Sequence, residues 1–261
     1  LKTSLLIIVL IALASSAFAE QKIFSERTTF PFDSSGQRLL GVSRNTIYIT
    51  IDDGPTNGVT DEILDILSQY GVPATFFVLG ARAKSRSGLL RRMFNEGHLV
   101  ASHSYSHLLD FPTRDYFINS LMTTHEIITP YISQNNLFLY RAPGGVWNNW
   151  RADTVNSHPS LQKAVGPIYW NVGGGSGSRN DNADWKCWKR GVSSKSCALG
   201  YLQGIYRHYS KNRATILLMH DINTKSATML KIILENLKQD TIDWKFELID
   251  EIPSVRDYAE L

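Results

Sequence analysis

Asp52 and Asp53 are adjacent acids at the end of a β-rich run, Thr46-Ile47-Tyr48-Ile49-Thr50-Ile51. Neighbouring side chains of an extended chain point different ways, so two adjacent carboxylates can serve two tasks. His103 and His107 are four apart, within His103-Ser104-Tyr105-Ser106-His107. On a helical turn that spacing puts both imidazoles on one face, as many metal sites require. Two neutral imidazoles and one carboxylate leave positions open for water and substrate, the catalytic rather than the structural pattern of zinc. Arg141 and His220 follow two further apolar runs, Leu137 to Tyr140 and Ala214 to Met219. Singly, each has a plain structural reading. Asp-Asp-Gly-Pro is a common turn, and a histidine after a buried strand is often a satisfied core residue. What points to chemistry is their joint occurrence, in order, each just past the end of a predicted strand.

The elements that must hold these residues alternate along the chain. Strands are predicted at 46–51, 74–79, 98–102, 137–140, 167–172, 214–219 and 246–249. Helices are predicted at about 61–70, 89–95, 113–132, 198–209 and 227–237, the first capped by Thr60 and stopped by Gly71 and Pro73. Gly173 to Cys197 reads as a long loop rich in Gly, Ser, Asn and Asp. Loops of this length in compact domains are usually functional or mobile. Strand–helix alternation predicts an α/β fold with parallel strands, here a single-domain distorted (β/α) barrel of about seven strands. In such barrels the carboxyl ends of the strands build the active site. No glycine fingerprint follows the first strand, so dinucleotide binding has no support.

With these residues in place, the chain resembles the polysaccharide deacetylases with a NodB homology domain, carbohydrate esterase family 4. The family's T-F-D-D-G-P stands here as Thr50-Ile51-Asp52-Asp53-Gly54-Pro55, and its H-[ST]-x-x-H as His103-Ser104-Tyr105-Ser106-His107. R-x-P-[YF]-G corresponds to Arg141-Ala142-Pro143-Gly144-Gly145, D-x-x-D-W to Asp181-Asn182-Ala183-Asp184-Trp185, and L-x-H to Leu218-Met219-His220. The resemblance spans about residues 46 to 250.

It implies one divalent metal ion, zinc by preference, on Asp53, His103 and His107. It makes Asp52 the general base, His220 the general acid, and Arg141 the partner that keeps Asp52 ionised by lowering its pKa. The Gly144 N–H would donate to the oxyanion. Leu218 and Trp185 would line the substrate pocket, and Asp181 or Asp184 would orient His220. Gly144 departs from the family's aromatic, which removes one wall of the groove; Trp147 and Trp150 are close enough in sequence to replace it. The fourth motif lies farther from its strand than is usual.

The 261 residues suit one sizeable domain. With 43% hydrophobic and 20% charged residues the composition is that of a globular protein. The net charge of +3 comes without a Lys/Arg block, so nucleic acid is not implied as a partner. Lys2, the apolar run Leu5 to Ala14 and Ala17-Phe18-Ala19 read as a signal peptide over 1–19. The apolar run is about half the roughly 20 residues of a membrane span, so stable membrane insertion is not expected. Residues 20–45 read as an N-terminal arm and 46–261 as the NodB-like domain. The expected location is therefore periplasmic or secreted. In that compartment the lone pair Cys187 and Cys197 reads as a disulfide.

The implied activity is N-deacetylation of an N-acetylhexosamine polymer, with envelope peptidoglycan favoured by export. Chitin oligomers, an O-acetyl xylan, or carbohydrate binding without catalysis are the alternatives. The expected partner is an N-acetylated polysaccharide, and no protein partner is indicated.

Overall fold

Every second residue of the first strand is apolar on one side and changes character on the other, and this pattern organises the molecule. The computed structural model describes residue 39 and residues 41–132, 138–161, 164–174 and 183–256. The expected signal peptide and most of the expected arm lie outside them. Among the described residues no helix is long and apolar enough to cross a membrane.

Strand β1 (Thr46–Asp52) is fully buried. Ile47, Ile49 and Ile51 join the large core between strands and helices, whereas Tyr48 joins a second, smaller core. By alternation Thr50 and Asp52 share the face of Tyr48. That face runs from aromatic at its start to acidic at its end.

Helix α1 (Val59–Tyr70) leads to β2 (Thr75–Val78). Helices α2 (Gly80–Ala83) and α3 (Ser87–Asn95) lead to β3 (Leu99–Ser102). Helix α4 (Arg114–Ile128) precedes β4 (Phe138–Leu139), and α5 (Asn149–Asn156) precedes β5 (Ala164–Val165). Then come α6 (Asp184–Arg190), α7 (Ser194–Ser210), β6 (Thr215–His220), α8 (Thr224–Lys238), β7 (Lys245–Phe246) and α9 (Pro253–Arg256).

Four strands pair in the order β3–β2–β1–β6, and β7 pairs with the start of β1. β4 and β5 form a separate pair. A single parallel bridge from Ser102 to Tyr140 joins the end of β3 to the residue after β4, and another from Val172 to Leu217 joins the segment after β5 to β6. All these pairings are parallel. This is the expected α/β architecture, a distorted barrel of about seven parallel strands.

Several local expectations are corrected. The strand expected at 167–172 is shifted: β5 lies at Ala164–Val165, and only Val172 of the later segment bridges to β6. Pro167 cannot donate to a ladder, which breaks the run. The last strand is shorter than 246–249, because Ile249 opens a 3₁₀ turn. Thr60 does not cap α1. Gly58 occupies that place, and the Thr60 hydroxyl is committed to Asp221. The stretch expected as one long loop holds α6 and the start of α7. Helix α6 buries little apolar surface of its own. It is held by the Cys187–Cys197 disulfide, with Cα atoms 6.2 Å apart, and stopped by Gly191 at φ 67°.

Candidate metal and acid–base site

The acidic end of the inward face opens at the carboxyl ends of the strands. Asp52 ends β1, opposite His220 at the end of β6, with Thr50 opposite Leu218 one step below. In parallel register, paired residues point to the same face, so all four enter the barrel interior. Leu218 is 3% exposed yet belongs to neither apolar core, which fits a wall below the opening.

Asp53 takes φ 77°, a left-handed conformation that Asp tolerates better than most residues. This turn prevents the two acids from diverging as they would in an extended chain. Asp52 Oδ2 lies 3.7 Å and Asp53 Oδ1 3.5 Å from His103 Nε2. Asp53 Oδ1 is also 3.6 Å from His107 Nε2. The two imidazoles do not converge through a helical turn. Ser104 takes φ 69°, and the left-handed turn brings the rings to 5.2 Å between centroids. The two rings thus come together through a left-handed turn rather than a helical one.

These atoms fit a divalent cation. One ligand atom each from Asp53, His103 and His107 lies within 4.8 Å of the others. Asp53 Oδ1 is buried and has no hydrogen-bond partner among the described residues, a costly state that a cation would relieve. His103 Nδ1 is 2.8 Å from the Arg141 carbonyl. A carbonyl can only accept, so Nδ1 carries the proton and Nε2 presents its lone pair to the site. Burial drives the His103 imidazole down to about 3, against the pull of Asp53, so it is neutral at pH 7. His107 is exposed, which leaves this side open to solvent.

Asp52 is held on its other oxygen. Arg141 is fully buried and donates through Nη1 to Asp52 Oδ1 at 2.7 Å and to Thr50 Oγ1 at 2.7 Å. Its Nε and Nη2 donate to the Ile168 and Tyr169 carbonyls, and the guanidinium lies 4.1 Å from the Phe77 ring centroid. Burial pushes the Asp52 carboxyl above the ordinary carboxylate range, and Arg141 pulls it only part of the way back. Arg141 thus lowers the carboxyl as expected, and desolvation of the carboxylate acts against it. One oxygen is anchored and the other faces His103.

His220 is oriented by Asp184, the first residue of α6. His220 Nδ1 donates to Asp184 Oδ1 at 2.7 Å, and the His220 N–H donates to Oδ2 at 2.8 Å. Ser226 Oγ and the Trp185 N–H also donate to this fully buried carboxylate. Burial opposes the charge on His220, but Asp184, with Asp53 and Asp52 beyond it, pushes the imidazole up to about 9. Its Nε2 is thus a protonated donor at neutral pH.

The aromatic beside His220 is Trp188, with ring centroids 5.9 Å apart and a T-shaped arrangement. Trp185 instead stands under two cations, Lys186 and Lys189, at 5.3 and 5.1 Å. Helical spacing separates Trp185 from Trp188, which a loop reading conceals. Asp184 in the first turn, Lys189 and Arg190 in the last, and Gly191 beyond were the helix signals available in the sequence. Asp181 lies outside the described residues. Trp147 is buried and does not fill the place of an aromatic at Gly144.

Two contributors were not foreseen. Asp221 is buried, accepts from Thr60 Oγ1 at 2.6 Å, and occupies the space where a Cβ on Gly54 would lie, 1.9 Å from Oδ2. Burial raises its carboxyl to about 7. Tyr201 Oη donates to the Leu218 carbonyl at 2.9 Å and accepts from the Asp184 N–H at 3.0 Å, tying α6 to β6.

Residues 41–160 match the family model described as polysaccharide deacetylase. Peptidoglycan-N-acetylmuramic acid deacetylase PdaA of Bacillus subtilis is 30% identical over 220 residues, covering 82% of this chain and 73% of that protein. The chain belongs to the polysaccharide deacetylase family. The solved structure of Bacillus subtilis PdaA, a family 4 carbohydrate esterase, superposes with a TM-score of 0.60 and 26% identity, over 81% of this chain and 82% of that one. Peptidoglycan-N-acetylglucosamine deacetylase PgdA of Listeria monocytogenes is 32% identical over 210 residues. That match covers 79% of this chain, which spans 38% of the Listeria protein's length. In this member of the family, the five motif segments thus fall at the carboxyl ends of the strands, save for the part of the fourth outside the described residues.

Proposed function

We propose that the chain is an exported, metal-dependent hydrolase that removes the N-acetyl group from an N-acetylhexosamine polymer, with peptidoglycan as the polymer. The observation that carries this reading is the convergence of two differently held groups beside the Asp53–His103–His107 cluster. Asp52 is anchored by Arg141 with one oxygen free, and His220 is held protonated by Asp184. A carbohydrate-binding protein has no use for an acid and a base set apart in this way.

Asp53, His103 and His107 would hold one divalent ion, zinc by the nature of the donors. When bound, that ion supplies Lewis-acid polarisation of the acetyl carbonyl and makes a water acidic enough to react at neutral pH. Asp52 Oδ2 takes the proton of the attacking water, and a carboxyl raised by burial is the better base for it. The exposed N–H of Gly144, in a turn with φ 60°, donates to the oxygen that gains charge. His220 Nε2–H gives its proton to the departing sugar amine, and the Asp184 carboxylate stabilises the imidazolium until it does. Leu218 and Trp188 supply apolar surface beside these polar groups.

Peptidoglycan is supported by the two relatives named for it, and export by the disulfide and the N-terminal sequence. The decisive experiment incubates the zinc-loaded protein with peptidoglycan, chitin oligomers and acetylated xylan, and measures free acetate. Release from peptidoglycan with matching appearance of free amine is expected. Release from xylan alone would make the protein an O-acetyl esterase. No release from any of the three, with metal bound, would make it a binding protein.

A further inference from the structure

Leu109, Val146 and Leu108 are among the few large hydrophobic side chains left exposed, at 51, 39 and 36%. All three stand in the two loops that carry His107 and Gly144. Two of them converge: Leu109 Cδ2 and Val146 Cγ2 lie 2.8 and 3.8 Å from the place a Cβ on Gly144 would take. The missing side chain of Gly144 is therefore replaced by Leu109, which reaches over from the neighbouring loop.

The pair is held from beneath by Arg151, which is only 2% exposed. Its Nη1 donates to the Val146 carbonyl and its Nη2 to the Leu109 carbonyl, the latter at 2.5 Å. The guanidinium lies 5.3 Å from the Phe111 centroid and 6.0 Å from that of Phe117. No carboxylate pairs with it among the described residues. Burying a cation without a carboxylate is unfavourable. Here its charge is spent on two loop carbonyls, and a planar fork is the group that can span both. The result is an exposed apolar surface, anchored by two hydrogen bonds, beside the cluster.

We infer that Leu109 and Val146 form a platform for the C–H face of a sugar ring of the bound polymer, and that Arg151 is the residue that positions it. This rests on the reading of the site as one that binds an N-acetylhexosamine polymer. A pyranose ring offers a face of C–H groups that exposed aliphatic side chains such as these can cover. The platform adjoins Gly144 and His107, so the sugar it takes is the acetylated residue or its immediate neighbour. It makes Leu109 and Val146 determinants of polymer affinity without a part in the bond-breaking step.

The test is binding of an N-acetylglucosamine tetramer to the zinc-loaded Asp52→Asn protein, which would turn it over far more slowly than the unsubstituted protein, measured by titration calorimetry. Leu109→Ser or Val146→Ser in this background should weaken binding about tenfold, the loss expected for part of a leucine-sized contact. Phe94→Ser, an exposed apolar change on α3, should leave it unchanged. Arg151→Lys keeps the charge and loses the fork. It should weaken the tetramer while bound zinc stays stoichiometric. Equal affinity in the Leu109→Ser and parent proteins, or no binding by the parent, overturns the platform. Unaltered binding in Arg151→Lys removes Arg151 from it. Tetramer bound by the unsubstituted protein without acetate release would instead sink the proposed reaction and leave the platform standing.

Discussion

Asp52 and His220 are register partners on the neighbouring parallel strands β1 and β6, so a carboxylate and an imidazole enter the barrel at one level. Each acts on the other's charge: His220 lowers the Asp52 carboxyl, and Asp52 raises the His220 imidazole. Their environments nevertheless differ. Arg141 anchors one and Asp184 the other, which separates a proton acceptor from a proton donor.

Asp52→Asn keeps the volume and a hydrogen-bond acceptor for Arg141 but removes the proposed base. Acetate release should fall on the order of 10²–10⁴-fold, the usual contribution of a general base. Metal analysis should still find one equivalent bound. Unchanged turnover would remove Asp52 from the mechanism.

His107→Ala should release the metal. A ligand change should exceed the roughly 10–100-fold loss of affinity seen when only an outer partner of a ligand is altered. Competition with a fluorescent chelator measures it. His107 is exposed, so the thermal midpoint of the metal-free protein should barely move.

His220 must be protonated to act as an acid, so kcat should fall as pH rises through about 9. In Asp184→Asn the principal charge that raises it is gone, and the alkaline limb should move toward the ordinary imidazole value of about 6.5. The same shift appears in stability. A folded-state pKa raised above the unfolded one stabilises the protein fully below about 6.5, and that contribution is lost as pH rises through about 9. Melting curves of the metal-free protein between these pH values check it, and a midpoint independent of pH there would contradict the pairing with Asp184.

Gly54→Ala should destabilise the loop that carries Asp53. Its Cβ would meet the buried Asp221 carboxylate, 1.9 Å from Oδ2. A loss of about 1–3 kcal/mol, as for other overpacked sites, and weaker metal binding are expected. Gly54→Ala with Asp221→Ala should recover part of the loss by making room, which chemical denaturation can measure.

Cys187→Ser with Cys197→Ser should cost about 3 kcal/mol by the loop-entropy estimate for this short loop. Because α6 begins at Asp184, activity should fall with stability, and the alkaline limb set by His220 should shift toward lower pH. A double variant with the parent's pH profile would show that α6 is held without the disulfide.

The sequence by itself determined the strand–helix alternation, the parallel barrel and the placement of Asp52, Asp53, His103, Arg141 and His220 at strand ends. Those follow from local periodicity, and strand ends in such a barrel share one opening. Tertiary structure decided how the groups are aimed. The left-handed turns at Asp53 and Ser104 bring together side chains that spacing alone would have separated or joined through a helix. The charge of Asp52 depends on how far burial outweighs Arg141, a balance no local pattern encodes. Helix α6 was hidden because its stability comes from the disulfide and from Tyr201, Ser226 and His220, residues distant in sequence or carried by other elements. The meeting of Leu109, Val146 and Gly144 likewise depends on Arg151, which holds two loops separated by a whole helix and strand. Long-range hydrogen bonds to buried charges leave no periodic trace, so only the folded chain reveals them.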